Sequence, residues 1–239
     1  QKTYDEMHAL LKREYNGYHF CKDMTESVYN PYSLLNALSQ KELHHYWYET
    51  GTPTFLVKLL QKYRPNIDKL EGATIDRDSL TTITSFTSNP LPIIYQSGYL
   101  TISGYDEEFS EFTLGYPNLE VKEGFLKGLV ALVTGEERTS EFEVSHFVRA
   151  VRRGDTDDFF DRIRALLANV PYEIKLNYEV HFQNFLYLLF TMMGFYTHVE
   201  YHTAKGRVDL VLKTDKYIYI MEFKRDDKAE HALQQIKDN

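Results

Sequence analysis

Apolar positions recur at helical spacing through the first part of the chain. The stretch Tyr4–Lys12 is amphipathic, and the apolar run Tyr32–Leu38 follows Asn30-Pro31, a capping residue with proline at the first helical position. We expect the aromatic cluster at 46–51 (YWYETG) to be part of the core rather than an exposed recognition surface, because bulky aromatic side chains are mostly buried. These patterns predict a mainly helical part over residues 1–65.

The middle of the chain has the pattern of a β-hairpin. Strand-like runs at Tyr99–Ile102 and Phe109–Leu114 flank a polar tip, and a helix is predicted over Glu120–Val133. Helices on both sides of a hairpin predict a winged-helix-like segment over residues 66–139. Because the tip residues Asp106-Glu107-Glu108 are acidic, we expect this segment to be structural or to contact a protein rather than phosphates.

The last part of the chain, residues 140–239, changes from helical to strand periodicity. Two amphipathic helices, broken at Gly154-Asp155, and an apolar helix at Phe182–Phe190 precede the predicted strands Val208–Leu212 and Tyr217–Phe223. A final helix is predicted close to the end of the sequence. We expect the domain to be truncated there. The predicted class is α/β, or α+β overall: a helical N-terminal part, a winged-helix-like middle and a C-terminal α/β core.

Composition narrows the class of protein. A hydrophobic fraction of 43% is ample for packed cores, and the net charge of −8 argues against a general nucleic-acid coat protein, so any nucleic-acid contact should be local. Cys21 is the only cysteine, which excludes an intramolecular disulfide and a cysteine-rich zinc site and favours a reducing, cytoplasmic location. The sequence has no apolar run of membrane-spanning length and begins without a signal-peptide pattern, so no membrane partner is expected.

Charged residues interrupt the two apolar strands predicted near the C-terminus. Side-chain alternation places Glu222 and Lys224 on one face of the second strand and Phe223 on the other. Asp209 interrupts the first strand, and buried strands seldom admit an unpaired carboxylate. An ordinary interpretation is a turn-capping aspartate and a surface ion pair on an edge strand, and the other interpretation is a functional site. The pattern alone leaves both open.

The turn between these strands decides whether the two acids share a face. If Asp215-Lys216 is a two-residue turn, Asp209 lies opposite Glu222 with Cβ atoms about 4.5 to 5.5 Å apart, where like charges repel unless something offsets them. A divalent cation does so, since Mg²⁺ takes one or two protein carboxylates together with waters and phosphate oxygens. A register shifted by one residue would put the acids on opposite faces. This arrangement suits phosphodiester hydrolysis, with Lys224 positioning or deprotonating the attacking water and stabilising developing charge.

An ordered set of motifs resembles a known family. Gly206–Asp209, Glu222–Lys224 and Ala232–Ile236 resemble the PD-(D/E)XK nuclease domain found at the C-terminus of AAA-ATPase-like proteins of Bacteroidetes and other anaerobes. Upstream motifs look like the end of that ATPase-like domain and the segment after it: YNGY at 15–18, VYNPYS at 28–33, YWYETG at 46–51, GYLTI at 98–102 and YPN at 116–118. The resemblance covers nearly the whole chain.

The resemblance implies a restriction-endonuclease-like α/β core that binds Mg²⁺ or Mn²⁺. Asp209 and Glu222 match the metal carboxylates of the family. Lys224 matches the catalytic lysine, and Gln235 matches a glutamine on the following helix that supports the site. The ATP-binding loop that the family carries is absent from this sequence, so no ATPase activity is expected from it. The tyrosine that often follows the glutamine is also absent, since the sequence stops at Asn239.

A further metal ligand is implied upstream of the two strands. Glu179 matches the acidic residue often found on the first helix of the family, although a glutamate favoured by the dipole at an exposed helix start is as good an account of it. Glu200 lies just before the first core strand and is the alternative ligand.

Two classes of function follow. The first is a Mg²⁺-dependent nuclease acting on nucleic acid, with DNA favoured and RNA left open, linked to an ATPase-like module in the complete protein. The alternative is a non-enzymatic module, in which the middle segment and the aromatic cluster bind a protein partner or DNA and the nuclease-like fold is a scaffold.

Overall fold

The computed structural model of the chain describes residues 3–49, 60, 67–81, 89–134, 144–168, 178–194, 196, 198–201 and 210–221. The chain divides into two compact units, Gln1–Val133 and Thr134–Asn239. Both contain helices and small antiparallel sheets, so the mixed α/β class predicted from the sequence is confirmed. Across the described ranges, no helix combines the length and the apolar character required to span a membrane.

The first unit opens with short elements that carry clear capping signals. They are α1 (Tyr4–Tyr15), β1 (Asn16–Tyr18), β2 (Val28–Tyr29), α2 (Pro31–Gln40) and α3 (Tyr46–Glu49), and β1 pairs with β2 in antiparallel fashion. The side chain of Asn30 accepts hydrogen bonds from the backbone amides of Tyr32 and Ser33 at 3.1 and 3.3 Å, and Pro31 is the first residue of α2. The capped helix predicted at Asn30-Pro31 is therefore confirmed.

The rest of this unit contains the predicted hairpin. Its elements are β3 (Thr74–Asp76), α4 (Arg77–Thr81), α5 (Leu91–Gln96), β4 (Thr101–Asp106), β5 (Glu111–Gly115) and α6 (Leu119–Thr134), and the sheet has the order β3-β5-β4. The predicted strand bounds were wrong: Tyr99 and Leu100 precede β4, β4 continues through residues 103–106 of the predicted polar tip, and Phe109 lies in the turn and is 68% exposed. The physical reason is that the Asp106 carboxylate accepts the backbone amides of Glu108 and Phe109 at 2.9 and 3.0 Å, which closes the turn after Asp106.

A buried carboxylate joins three helices of the first unit. Glu120 in α6 is 0% exposed, and its Oε1 atom accepts the hydroxyl of Ser33 in α2 at 2.9 Å and the backbone amide of Trp47 in α3 at 2.8 Å. The ring centroid of Trp47 lies 4.9 Å from that of Tyr99, and Tyr46 is only 7% exposed. Tyr46 therefore belongs to the core, as favoured from the sequence, and the half-buried Trp47 packs against the buried Tyr99.

Several of the sequence motifs meet around this carboxylate. Gly17 has a φ angle of +122°, and a Cβ atom at this position would overlap the carbonyl oxygen of Pro117, so the YNGY and YPN motifs are in close backbone contact. The Tyr18 hydroxyl donates to the carbonyl oxygen of Gly98 at 3.1 Å, and the Thr101 hydroxyl donates to the carbonyl oxygen of His19 at 2.9 Å. Packing in one core thus gives each of these motifs a structural role.

The second unit consists of three helices followed by a three-stranded sheet. Its elements are α7 (Val144–Arg153), α8 (Thr156–Ala168), α9 (Tyr178–Gly194), β6 (His198–Tyr201), β7 (Leu210–Lys213) and β8 (Ile218–Met221), and the antiparallel sheet has the order β6-β7-β8. Gly154 adopts a φ angle of +79° and Asp155 accepts the amide of Asp158 at 3.1 Å, so the predicted break and N-cap are confirmed.

Strand β6 was not predicted. Its sequence, HVEY, contains a single aliphatic residue, Val199, and lacks the apolar run that identified the next two strands. Glu200 was expected to precede the first core strand, and it lies within that strand instead.

Candidate active site

The β7–β8 hairpin has the register that the metal-site prediction requires. The Thr214 backbone amide donates to the Tyr217 carbonyl oxygen at 2.8 Å, and Asp215-Lys216 forms the two-residue turn between them. Pairing then continues residue by residue to Leu210 opposite Met221. The predicted turn and register are therefore confirmed over the residues that the structure describes, one pair short of the positions of the two acids.

The two faces of β8 differ in exposure. Ile218 and Ile220 are 67% and 47% exposed, whereas Tyr219 and Met221 are half-buried. The Tyr219 hydroxyl donates to the carbonyl oxygen of Val151 in α7 at 2.7 Å, so α7 covers that face of the strand. Burial raises the pKa of Tyr219, which keeps this phenol protonated as a donor. The isoleucine face of β8 is the one open to solvent.

A second contact fixes the turn end of the hairpin near the end of the helix. Gly154, at the end of α7, faces the ring of Tyr217, and a Cβ atom on the glycine would lie 2.7 Å from the ring atom Cζ. The rings of Tyr217 and Tyr219 are 6.1 Å apart. Sequence reasoning identified Gly154 only as a helix break and gave the two tyrosines no role. Their alternation with isoleucines in an apolar strand was the available signal.

Strand β6 extends the sheet on the other side of β7. Glu200 is opposite Val211, and Val211 is opposite Ile220, so these three positions form one row across the sheet and share a face. Glu179, the other predicted upstream acid, occupies the second position of α9. For these two glutamates the structure describes the backbone position alone.

The remaining predicted site residues lie outside the described residues: Asp209, Glu222, Lys224 and Gln235. The described residues end at Met221, directly before Glu222, and β7 begins at Leu210, directly after Asp209. Within the part of the chain that is described, no group of three or more histidine, cysteine, aspartate or glutamate side chains could hold a metal ion. For this site, the structure therefore establishes the register of β7 and β8, the exposure of the two faces of β8 and the contacts that hold the hairpin near the end of α7.

Comparison with known proteins identifies the class of this region. Residues 177–239, which include α9 and the whole β6-β7-β8 sheet, match the PD-(D/E)XK nuclease superfamily. This part of the chain is thus a PD-(D/E)XK nuclease superfamily domain.

The whole chain is also similar to one curated protein. It is 30% identical over 237 residues to a protein of Azotobacter chroococcum mcd 1 named "Uncharacterized protein in vnfD 5'region", a match that spans 95% of this chain and 45% of the relative. The chain therefore spans less than half the length of that relative. No solved structure matches the chain.

Proposed function

We propose that the chain is a metal-dependent nuclease that hydrolyses phosphodiester bonds in nucleic acid, with DNA as the favoured substrate. Asp209 and Glu222 hold Mg²⁺ or Mn²⁺, and Lys224 is the catalytic lysine. The observation that carries this proposal is the β7–β8 ladder, which keeps the register set by its two-residue turn as far as the pair Leu210–Met221. The superfamily domain at the end of the chain supports it independently.

One further pair in this register brings the two acids face to face. Hydrogen-bonded and non-hydrogen-bonded pairs alternate along an antiparallel ladder, and the Thr214–Tyr217 pair is hydrogen-bonded. Counting from it, Asp209 and Glu222 form a non-hydrogen-bonded pair, with Cα atoms about 4.5 Å apart. Two carboxylates at this separation repel each other unless a cation lies between them. Carboxylate oxygens are ligands that Mg²⁺ prefers, so the donor set fits this ion.

Side-chain alternation assigns the proposed site to the isoleucine face of β8. Ile218 and Ile220 are exposed on this strand, whereas Val211, opposite Ile220 on β7, is buried. Continuing the alternation would add Glu222 and then Lys224 to the isoleucine face and Phe223 to the other face. We therefore propose that a phosphate group approaches the site from the β8 side of the sheet.

Each residue of this site has a separate task. Asp209 and Glu222 would hold the divalent ion, which would supply Lewis-acid chemistry: a lowered pKa for a bound water and withdrawal of charge from the phosphate. Lys224 donates hydrogen bonds to the attacking water or to a phosphate oxygen, where negative charge increases in the transition state. We propose that Gln235, on the helix predicted after the strands, supports this arrangement.

Two glutamates are candidates for a further metal ligand. With the register extended, Glu200 is diagonal to Asp209 on the same face, at a separation of about 7 to 8 Å that a glutamate side chain can span. Glu179 occupies the second position of α9 instead. The register favours Glu200, and comparison of Glu179→Gln with Glu200→Gln separates the two. The true ligand is the one whose replacement raises the Mg²⁺ concentration for half-maximal cleavage by about tenfold or more.

In the complete protein we propose that an ATPase-like module is linked to this domain. Residues 1–65 would be its C-terminal end, 66–139 a winged-helix-like segment and 140–239 the nuclease domain. Two observations support this organisation: the order β3-α4-α5-β4-β5, with helices between the first strand and the hairpin, and the greater length of the relative. Because its hairpin tip is acidic, the middle segment is proposed to contact protein rather than DNA.

Cleavage assays with designed variants test the nuclease proposal. Plasmid, single-stranded DNA and RNA are incubated with Mg²⁺ or Mn²⁺ and with either this chain or the complete protein. Asp209→Asn and Lys224→Ala should each lower kcat/KM by about 100-fold or more. Asp215→Asn is the matched control, since Asp215 is exposed in the neighbouring turn, and it should cleave normally. Unchanged activity of Asp209→Asn, or no cleavage by the complete protein with either metal, would favour the non-enzymatic alternative.

Disulfide trapping tests the extended register without any activity. In a Cys21→Ser background, the pair Asp209→Cys and Glu222→Cys should oxidise to an intramolecular disulfide, because a non-hydrogen-bonded pair has the Cα separation that a disulfide needs. Val211→Cys with Ile220→Cys is the positive control from the described ladder. Asp209→Cys with Met221→Cys places the thiols on opposite faces and should stay reduced. Efficient trapping of that last pair would show that the register shifts before the acids.

A further inference from the structure

Helix α7 has an exposed face that carries only positive charge. Its sequence, VSHFVRAVRR, contains Arg149, Arg152 and Arg153 and no acidic residue. All three arginines are exposed, whereas the apolar residues of the helix are buried. Positions 149, 152 and 153 are three and four residues apart, so these side chains lie on one face of the helix. Since the whole chain has a net charge of −8, this face is opposite in sign to the protein that carries it.

Within the described ranges, an ion pair offsets one of these three charges. The guanidinium of Arg153 lies 3.3 Å from the carboxylate of Asp158. Arg152 donates to the carbonyl oxygen of Tyr196 at 2.8 Å, and because a carbonyl is neutral, this contact leaves the positive charge in place. Arg149 has no acid within ion-pair distance among the residues that the structure describes. We call Arg149 and Arg152 the α7 arginines.

The arginines of the neighbouring helix are arranged differently. On α8, Arg162 lies 2.9 Å from Asp158, and Arg164 lies 2.6 Å from Asp161. Each of these arginines therefore has an acid about one turn away on its own helix, which is the usual pattern on a solvated surface. Helix α7 has no such acids, so its charge is available to an anion from outside the helix.

Helix stability explains only part of the charge on α7. The dipole of a helix favours cations in the last turn, which accounts for the positions of Arg152 and Arg153. Arg149 lies one turn earlier, where this effect has fallen off. An arginine there, exposed and without an acid one turn away, calls for another explanation.

The α7 helix runs beside the strand that leads to the proposed metal site. Gly154, directly after α7, faces the ring of Tyr217, directly before β8. Farther back on the helix, the Val151 carbonyl oxygen accepts the Tyr219 hydroxyl, which lies farther along the strand. Going back along α7 therefore corresponds to going forward along β8. From Val151 to Arg149 the helix continues in the direction of the proposed site.

We propose that the α7 arginines bind backbone phosphates of the nucleic acid that this domain is proposed to cleave. The identity of this polyanion rests on the proposed function, and charge complementarity supports it. Phosphates recur about every 3.4 Å along each strand of DNA, so a duplex held at the metal site extends past β8 and presents further phosphates to α7. A guanidinium group suits this task, because it donates two parallel hydrogen bonds to a phosphate. The two arginines supply local contacts that the net charge of the chain does not.

The salt dependence of DNA binding tests this proposal. Fluorescence anisotropy measures binding of the 239-residue chain to labelled duplexes over a KCl series, in EDTA so that no metal-dependent cleavage takes place. Arg149→Ala with Arg152→Ala removes two phosphate contacts, so the slope of log K against log[KCl] should become shallower by about two. Affinity at about 0.1 M KCl should fall about tenfold or more, equally for duplexes of unrelated sequence, because phosphate contacts carry no sequence information.

An unchanged slope in this double variant would overturn the proposal, and it would show that acids elsewhere in the chain hold these arginines. The absence of measurable binding by the natural chain would overturn it as well. Arg149→Ala alone removes no ion pair or hydrogen bond among the described residues, so it tests the surface with the least risk to folding. Its slope should become shallower by about one.

Two control variants separate the effect of charge from other effects. Arg149→Lys with Arg152→Lys keeps both positive charges and should keep the slope of the natural chain. Arg164→Ala is the matched control, since Arg164 is 76% exposed on the neighbouring helix and is paired with Asp161. This control should also keep the slope. A change as large as that of Arg149→Ala would mean that net charge alone matters, and the proposal would be wrong.

This experiment and the cleavage assays can fail separately, because binding in EDTA requires no catalysis. If the natural chain cleaves DNA while the alanine variants keep its slope, the nuclease proposal stands and the role of the α7 arginines is refuted. If the slope changes as expected but no cleavage occurs with either metal, the arginines bind nucleic acid in a non-enzymatic protein, and the nuclease proposal fails alone.

Discussion

His45 and Glu123 form a half-buried acid–base contact in the first unit, with Nε2 of the histidine 3.4 Å from Oε2 of the glutamate. Burial lowers the pKa of His45 to about 4, and the positive charge of Lys127 acts in the same direction. Burial also raises the pKa of Glu123, and this effect exceeds the opposing influence of the positive charge of Lys127. Desolvation thus outweighs the attraction between the two groups, and a neutral imidazole lies beside a carboxyl group that resists ionisation.

This contact predicts a loss of stability in mild acid. The pKa of His45 is lowered in the folded state. The contribution of this histidine to the free energy of unfolding is therefore fully present above the unfolded pKa of about 6.5 and is lost as pH falls toward 4. The raised pKa of Glu123 acts in the opposite direction, so the loss between pH 7 and pH 5 should be on the order of 1 to 2 kcal/mol. Urea unfolding at both pH values should show a smaller loss for His45→Gln than for the natural chain.

The matched control for this measurement is His8→Gln, at an exposed position on α1. It should keep the full pH dependence. An equal loss of stability in His45→Gln and in the natural chain would assign the acid sensitivity to other groups.

At the scale of elements, the close approach of α7 to the β7–β8 hairpin sets the position of the proposed site. Gly154 has a left-handed backbone and its Cα faces the Tyr217 ring, while the Tyr219 hydroxyl is bonded to the Val151 carbonyl oxygen. The second contact joins the last turn of α7 to β8, and the first joins the residues directly next to them, Gly154 after the helix and Tyr217 before the strand. The helix end therefore orients the strand whose continuation carries Glu222.

Replacing Gly154 tests how much the close contact between the end of α7 and the hairpin matters for stability. Gly154→Ala should lower the free energy of unfolding by about 2 kcal/mol, because the left-handed conformation is strained for alanine and the new methyl group displaces the Tyr217 ring. Gly72→Ala is the matched control, since Gly72 has a φ angle of +83° and open space around its Cα, and it should lose about 1 kcal/mol from strain alone. Thermal or urea unfolding provides the comparison.

In a Tyr217→Ala background, Gly154→Ala should lower the free energy of unfolding by less than it does in the natural chain, because the ring that the new methyl group would displace is absent. If Gly154→Ala and Gly72→Ala lose the same amount, the contact between the helix end and the hairpin does not constrain the strand.

Elements with local signals were predictable from the sequence, and elements without them were not. Asn30-Pro31 and Gly154-Asp155 marked helix boundaries through caps and breaks that involve neighbouring residues only. The Asp215-Lys216 turn likewise fixed the β7–β8 register. Strand β6 was missed because two of its four residues, His198 and Glu200, are polar, and its place in the sheet depends on pairing with β7. Pairing between distant segments has no local signature.

At the scale of the whole molecule, the net charge of −8 limits how this chain can hold nucleic acid. Affinity for phosphates that is independent of sequence comes from a surplus of lysine and arginine, which the chain lacks. Binding of DNA by the proposed nuclease must therefore rest on a small number of local contacts around the site.

This limit predicts a weak dependence of DNA binding on salt. With the cleavage-deficient variant Asp209→Asn and a short duplex, the logarithm of the binding constant should fall against the logarithm of the salt concentration with a slope of about −3 or shallower, since roughly three phosphates are contacted. Fluorescence anisotropy over a series of KCl concentrations gives the slope. A slope of about −7 or steeper would reveal an extended basic surface and contradict the local-contact view.

The sequence by itself determined the helix caps, the presence of a hairpin in the middle of the chain, the two-residue turn and the superfamily of the C-terminal domain, because each depends on residues close together in the chain. Only the tertiary structure decided that Glu120 would join three helices, that α2 would turn its leucines outward, and that Tyr219 would bond to α7. Those contacts join segments tens of residues apart. They depend on which surfaces the folded chain brings together, and no short pattern of residues encodes that.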